Sequence, residues 1–141
     1  HAIQLVEIVK GERTSDETMK SAAAIAEQLG KKAVQTKDTP GYIVNRVSHP
    51  FYNEALKILG ENETTLEEID RIVKKSGGFK MGPFELMDLT GNDVSLSVAE
   101  SIYEQMYHDP RFQPSRIQKQ MVEAGMFGKK NKLGFYNYEE K

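Results

Sequence analysis

Polar and apolar positions change their period twice along this chain. Residues 3–9, Ile-Gln-Leu-Val-Glu-Ile-Val, alternate in part and are rich in β-branched side chains, which predicts a strand. Thr14-Ser15-Asp16-Glu17 has the Thr-x-x-Glu spacing of a capping box. The pattern then shifts to a helical period, with Met19, Ala22, Ala23, Ala26 and Leu29 on one face and Gly30 as the stop. Lys32 to Thr36 reads as a second short strand. Strand, helix, strand in this span is one βαβ unit, which belongs to a larger parallel sheet, because alone it leaves its edges bare.

Asp38-Thr39-Pro40-Gly41-Tyr42-Ile43-Val44-Asn45-Arg46 joins that unit to a helical remainder. From Tyr42 a helix pattern runs to about Gly60, with Ile43, Val47, Phe51 and Ala55 one turn apart, then Ile58 and Leu59. Pro50 lies inside it and is expected to kink it. Asn45 and Arg46 fall off the apolar stripe, so they face solvent or a place where a neighbouring domain meets the helix. Thr65-Leu66-Glu67-Glu68 is a second capping box, opening a helix with Ile69, Ile72 and Val73 inward and Gly77-Gly78 at its end. Pro83 starts a further helix, Gly91 interrupts it, and Val94, Val98, Ile102 and Met106 space a longer one up to Asp109-Pro110. A last short helix spans 114–124, and the tail Met126 to Tyr138, rich in Gly, Lys and aromatics, has no period.

At 141 residues, with 38% hydrophobic and 28% charged side chains, the chain reads as globular. A net charge of −2 gives no general drive toward nucleic acid. There is no cysteine, which excludes disulfides, thiolate metal sites and a cysteine nucleophile. No apolar run is long enough to span a bilayer, and the expected location is the cytoplasm. The chain begins with His rather than Met, and the first forty residues read as the tail of a domain whose main part lies elsewhere.

Each polar candidate carries two readings. Glu7, among apolar neighbours, is an edge-strand carboxylate in solvent or a carboxylate that orients a histidine and stabilises its charged form. Asn45 is a surface amide or a donor to a carbonyl oxygen on which charge develops. Lys129, Lys130 and Lys132 beside Gly128 form a solvated tail or point charges for a phosphate-bearing cofactor. His49 and His108 read as packed or surface histidines, and His1 as a terminus too near Glu7 to serve it. No spacing suggests a metal site, and the chain holds neither G-x-G-x-x-G nor G-x-x-x-x-G-K-[ST].

Four stretches in order carry a family likeness: Leu5-Val6-Glu7-Ile8-Val9 with Gly30-Lys31, Asp38 to Arg46, Met81-Gly82-Pro83-Phe84-Glu85-Leu86-Met87-Asp88, and Gly128-Lys129-Lys130 with Gly134-Phe135-Tyr136. Together they resemble the 3-hydroxyacyl-CoA dehydrogenase family, including its 3-hydroxybutyryl-CoA members. The resemblance implies a mainly α chain. Residues 1–38 would end an NAD-binding Rossmann-type domain, and 39–141 would form a C-terminal helical domain that makes a homodimer. It also implies oxidation of the 3-hydroxyl of an acyl-CoA substrate with NAD as acceptor. Glu7 matches the glutamate that holds a histidine base expected about a dozen residues upstream, outside this chain. Asn45 matches the asparagine that approaches the reacting carbonyl, and Lys130 a lysine near the cofactor. Near Lys132 the family usually has glycine, so a different tail loop is expected here. Met81 to Leu86 would lie near the acyl pocket or the subunit interface. Two rival readings stand: a non-catalytic dimerisation module, and a two-domain dehydrogenase for another class of hydroxy acid. The isolated chain is expected to be inactive.

Overall fold

The computed structural model describes residues 3–139, so His1 lies outside the described residues. The chain forms two compact units, one up to Arg46 and one from Val47 onward.

The first unit is a βαβ unit. Strands β1 (Leu5–Lys10) and β2 (Lys32–Lys37) pair in parallel, from Leu5 opposite Lys32 to Lys10 opposite Lys37. Helix α1 (Asp16–Gln28) crosses between them and packs Met19, Ala22, Ala23 and Ala26 on Val6 and Ile8. The capping box expected at Thr14 does not form, and the N-cap lies one residue later. Ser15 is the N-cap and its hydroxyl accepts from the Thr18 N–H at 3.1 Å, while Thr14 belongs to the preceding turn, its N–H donating to the Gly11 carbonyl. Leu29, expected on the inward face, is 68% exposed, since it lies just past the last helical turn.

The second unit is helical. Helix α2 (Val44–Gly60) runs unbroken through Pro50 and is followed by α3 (Leu66–Gly77), α4 (Pro83–Thr90), α5 (Asn92–Gln105) and α6 (Arg116–Glu123). The Thr65 hydroxyl caps α3 by accepting from the Glu68 N–H, and Gly78 ends it at φ 72°. The core joins Tyr52, Ala55 and Leu56 of α2 to Ile69, Phe84 and Met87. Three expected stripes are therefore rotated. On α2 the buried positions are His49, Tyr52, Asn53, Ala55 and Leu56, while Val47 is 69% exposed. On α3 Ile69 and Asp70 are buried and Ile72 faces outward. On α5 burial falls on Asn92, Ser95, Leu96, Ala99 and Ile102, and Val94 is exposed. Packing partners chose these faces, and three of them carry a polar side chain that a hydrophobic count passes over.

The aperiodic tail has a definite fold. It makes a 3-10 turn at Lys129–Asn131 and isolated bridges from Leu133 to Gly128 and to Asn137. Lys132 stands at φ 66°, the left-handed region that glycine suits best. The loop thus keeps a glycine-like turn and places a lysine in it.

Candidate active site

Alternation along β1 sends Val6 and Ile8 onto α1 and Glu7 to the opposite side. There one carboxylate oxygen, Oε1, accepts from the backbone N–H of Ile43 at 2.7 Å and of Val44 at 3.2 Å. These belong to the group of donors that a helix cannot satisfy within itself, and the positive end of the helix dipole favours a carboxylate beside them. The turn that delivers α2 to Glu7 is sharp. Gly41 and Tyr42 are both left-handed, at φ 72° and 48°, and the Tyr42 N–H reaches back to the Thr39 carbonyl at 3.0 Å. A tyrosine in that conformation carries strain of about 1 kcal/mol, which the surrounding bonds hold in place. Asn45 is the second residue of α2 and half-buried. Glu7 and Asn45 are thus tied to one helix start.

Lys130 belongs to the helical unit. Its ammonium donates to Asp93 Oδ2 at 2.5 Å and lies 5.2 Å from the centre of the Phe127 ring. The lysine holds the Asp93 carboxyl below its usual range, chiefly through that hydrogen bond. One ion pair leaves an ammonium two further N–H groups, so Lys130 can still serve an anionic ligand.

Two buried carboxylates escaped the sequence reading. Asp88, at 0% exposure, accepts from the Asn92 amide and the Phe135 N–H on Oδ1, and from the Tyr136 N–H and the Tyr138 hydroxyl on Oδ2. Asp70, at 1% exposure, caps α4 by accepting from the Phe84 and Glu85 N–H groups, and also accepts from the Tyr136 hydroxyl at 2.7 Å. Burial pushes the Asp70 carboxyl up despite those donors. Burial, with Asp70 beside one and Asp88 beside the other, pushes the Tyr136 and Tyr138 phenols far above their usual value, so both remain donors. The available signal was a lone acid on an apolar helix face. His49 is buried against the edge of Tyr52, and burial alone lowers its pKa. His108 is exposed and pairs with Glu104 at 2.9 Å. Among the described residues no group of three His, Asp or Glu could hold a metal ion, and no helix is long and apolar enough to cross a membrane.

A parallel strand-helix-strand that leads into a helical unit, with an acid keyed to the joining helix, defines the class by fold: an α/β unit followed by a helical domain. Comparison with known proteins makes this specific. The family model for the 3-hydroxyacyl-CoA dehydrogenase C-terminal domain matches residues 41–138, and that for the NAD binding domain matches 1–39. The chain belongs to the 3-hydroxyacyl-CoA dehydrogenase family. It is 40% identical over 139 residues to a probable 3-hydroxybutyryl-CoA dehydrogenase of Bacillus subtilis, covering 99% of this chain and 48% of that protein. It is 40% identical over 136 residues to the 3-hydroxyadipyl-CoA dehydrogenase of Escherichia coli, covering 96% and 29%. The crystal structure of (S)-3-hydroxybutyryl-CoA dehydrogenase from Ralstonia eutropha superposes with a TM-score of 0.91 at 38% identity, covering 99% of this chain and 49% of that one. The chain spans half or less of the length of these relatives.

Proposed function

We propose that this chain supplies the C-terminal part of an NAD-dependent (S)-3-hydroxyacyl-CoA dehydrogenase, with dimerisation and part of the substrate site as its share. The observation that carries this is the Glu7 carboxylate. Oε1 is fixed on the start of α2, which holds the carboxylate in one orientation and leaves Oε2 as the oxygen proposed to receive the N–H of an imidazole. In the forward direction a histidine from the preceding part of the protein takes the proton of the 3-hydroxyl. Glu7 orients that ring and stabilises its cationic form. The Asn45 amide donates to the C3 oxygen as it becomes a carbonyl, and stabilises alkoxide character on the way. Bound NAD would supply the acceptor for the hydride that leaves C3. From this chain Lys130 is the residue proposed to stand near it, since the glycine-rich phosphate loop has no counterpart in residues 1–141.

Glu7→Gln in the two-domain protein tests the assignment cleanly. Glutamine keeps an oxygen for the Ile43 and Val44 N–H groups, but it loses the charge and turns an NH2 toward the imidazole N–H that needs an acceptor. The expected result is a fall in kcat of about tenfold or more with little change in acyl-CoA KM, because the carboxylate acts on the imidazolium. A kcat near normal removes Glu7 from the reaction.

A second reading, self-association, is favoured by the outward apolar side chains of the helical unit. Val47, Ile72, Phe79, Leu89 and Val94 are all at least half exposed, and Tyr107 is 95% exposed. The two readings are compatible, since the chain taken alone would lack the base.

A further inference from the structure

The break between α4 and α5 does more than turn the chain. Asp88, Gly91, Asn92 and Asp93 together grip the loop 126–138 at its entry, middle and exit. At the entry, the Asn92 N–H donates to the Phe127 carbonyl at 3.0 Å and the Asn92 amide to the Met126 carbonyl at 3.3 Å. There too Gly128 lies so close to the Asp88 backbone that a Cβ would collide with it. In the middle, Asp93 holds the Lys130 ammonium at 2.5 Å. At the exit, Gly134 packs on the Asp88 carboxylate, which collects Phe135 N–H, Tyr136 N–H and the Tyr138 hydroxyl. The loop's own bonds tie its exit to its middle: the Gly128 N–H donates to the Leu133 carbonyl, the Tyr138 N–H to the Lys132 carbonyl, and Asn131 reaches across to Phe127 and Gly125. A hold on the exit is therefore relayed to residues 128–132, and the largest share of the elbow's bonds to the loop belongs to one side chain, Asp88.

We propose that Asp88 is a positioning residue for the cofactor: its buried carboxylate moulds the 128–138 loop and so sets where the Lys130 ammonium stands. This rests on the reading of Lys130 given above. Asp88 touches neither cofactor nor substrate in this account and acts only through the loop.

The test uses Asp88→Asn in the full two-domain enzyme. An asparagine has the same shape, but it turns an NH2 toward donors that need an acceptor. Trace acetylation followed by mass spectrometry, with Lys75 as internal reference, reads the Lys130 tether directly and without turnover. Steady-state kinetics reads the consequence. The expected results are a Lys130 labelling rate raised about threefold or more, and a KM for NAD raised about fivefold with kcat within about twofold. Unchanged Lys130 labelling overturns the proposal. Raised labelling with an unmoved KM for NAD overturns it too, and Lys130→Ala then tells which step failed. If that variant also leaves KM unmoved, the Lys130 reading has fallen. If it raises KM, Asp88 is not what positions the lysine. Should Asp88→Asn fail to fold, Tyr138→Phe removes a single donor from the same carboxylate and is expected to shift both readouts in the same direction by less.

Discussion

Gly82 shows how little room single residues have at the joints of this protein. Its φ of −78° is one that any residue adopts, so conformational freedom is not the reason for a glycine there. Space is the reason, because a Cβ would run into the Asp70 carboxylate and its Cα. Gly82→Ala should cost about 3 kcal/mol, since the obstacle includes backbone and cannot swing away. Denaturant unfolding of the chain would measure it, and a loss below about 0.5 kcal/mol would show that the Asp70 cap can move. His49 gives a pH dependence of definite sign. Its folded pKa lies below the usual 6.5 because burial disfavours the charged ring. Its contribution is therefore complete above pH 6.5 and is lost as pH falls toward the depressed value, where the unfolded chain takes up a proton and the folded one resists. Melting temperature should drop between pH 7 and pH 5.5, and His49→Gln should flatten that drop; an unchanged slope in the variant would assign it to other groups.

At the scale of elements, the helices that announce themselves do so through their ends. Thr65 with Glu68, Gly78, Pro83 and Gly91 all stand where their chemistry places them. Thr65→Ala should cost about 1 kcal/mol by denaturant midpoint, because the Glu68 N–H loses its acceptor. What lies between the ends was read less well. The buried stripes of α2, α3 and α5 include His49, Asp70 and Asn92, which a search for apolar periodicity discards. The same blindness hid Asp70 and Asp88 from the candidate site, although Asp88 lies inside one of the stretches that carry the family likeness. Glu7 and Asn45 stood out as polar side chains among apolar neighbours and resemblance named roles for them; the structure adds a physical link that no spacing shows, the bonds from Glu7 to the start of α2. The tail was legible least of all. Its order comes from carboxylates 47 and more residues upstream, and long-range contacts leave no local period.

For the whole molecule, two units differ in what they can hold together. The first has a two-stranded sheet with Ile25, Leu29 and Val34 exposed around a small core, and a sheet of that size is marginal by itself. The second has the larger core and the outward apolar side chains. Sedimentation of the chain at micromolar concentration should therefore show a dimer, and Val47→Glu with Phe79→Glu should weaken it if those faces take part. A monodisperse monomer of the unaltered chain removes the dimer from the proposal. Asp88 also bears on timing. A ribosome releases the carboxylate long before residues 135–138, the groups that complete its shell. Until those last residues emerge, Asp88 has only the Asn92 amide of its four donors, and the helical unit cannot close its core around the carboxylate without penalty. A chain that stops short of Tyr138 therefore buries Asp88 with at least one of its donors missing.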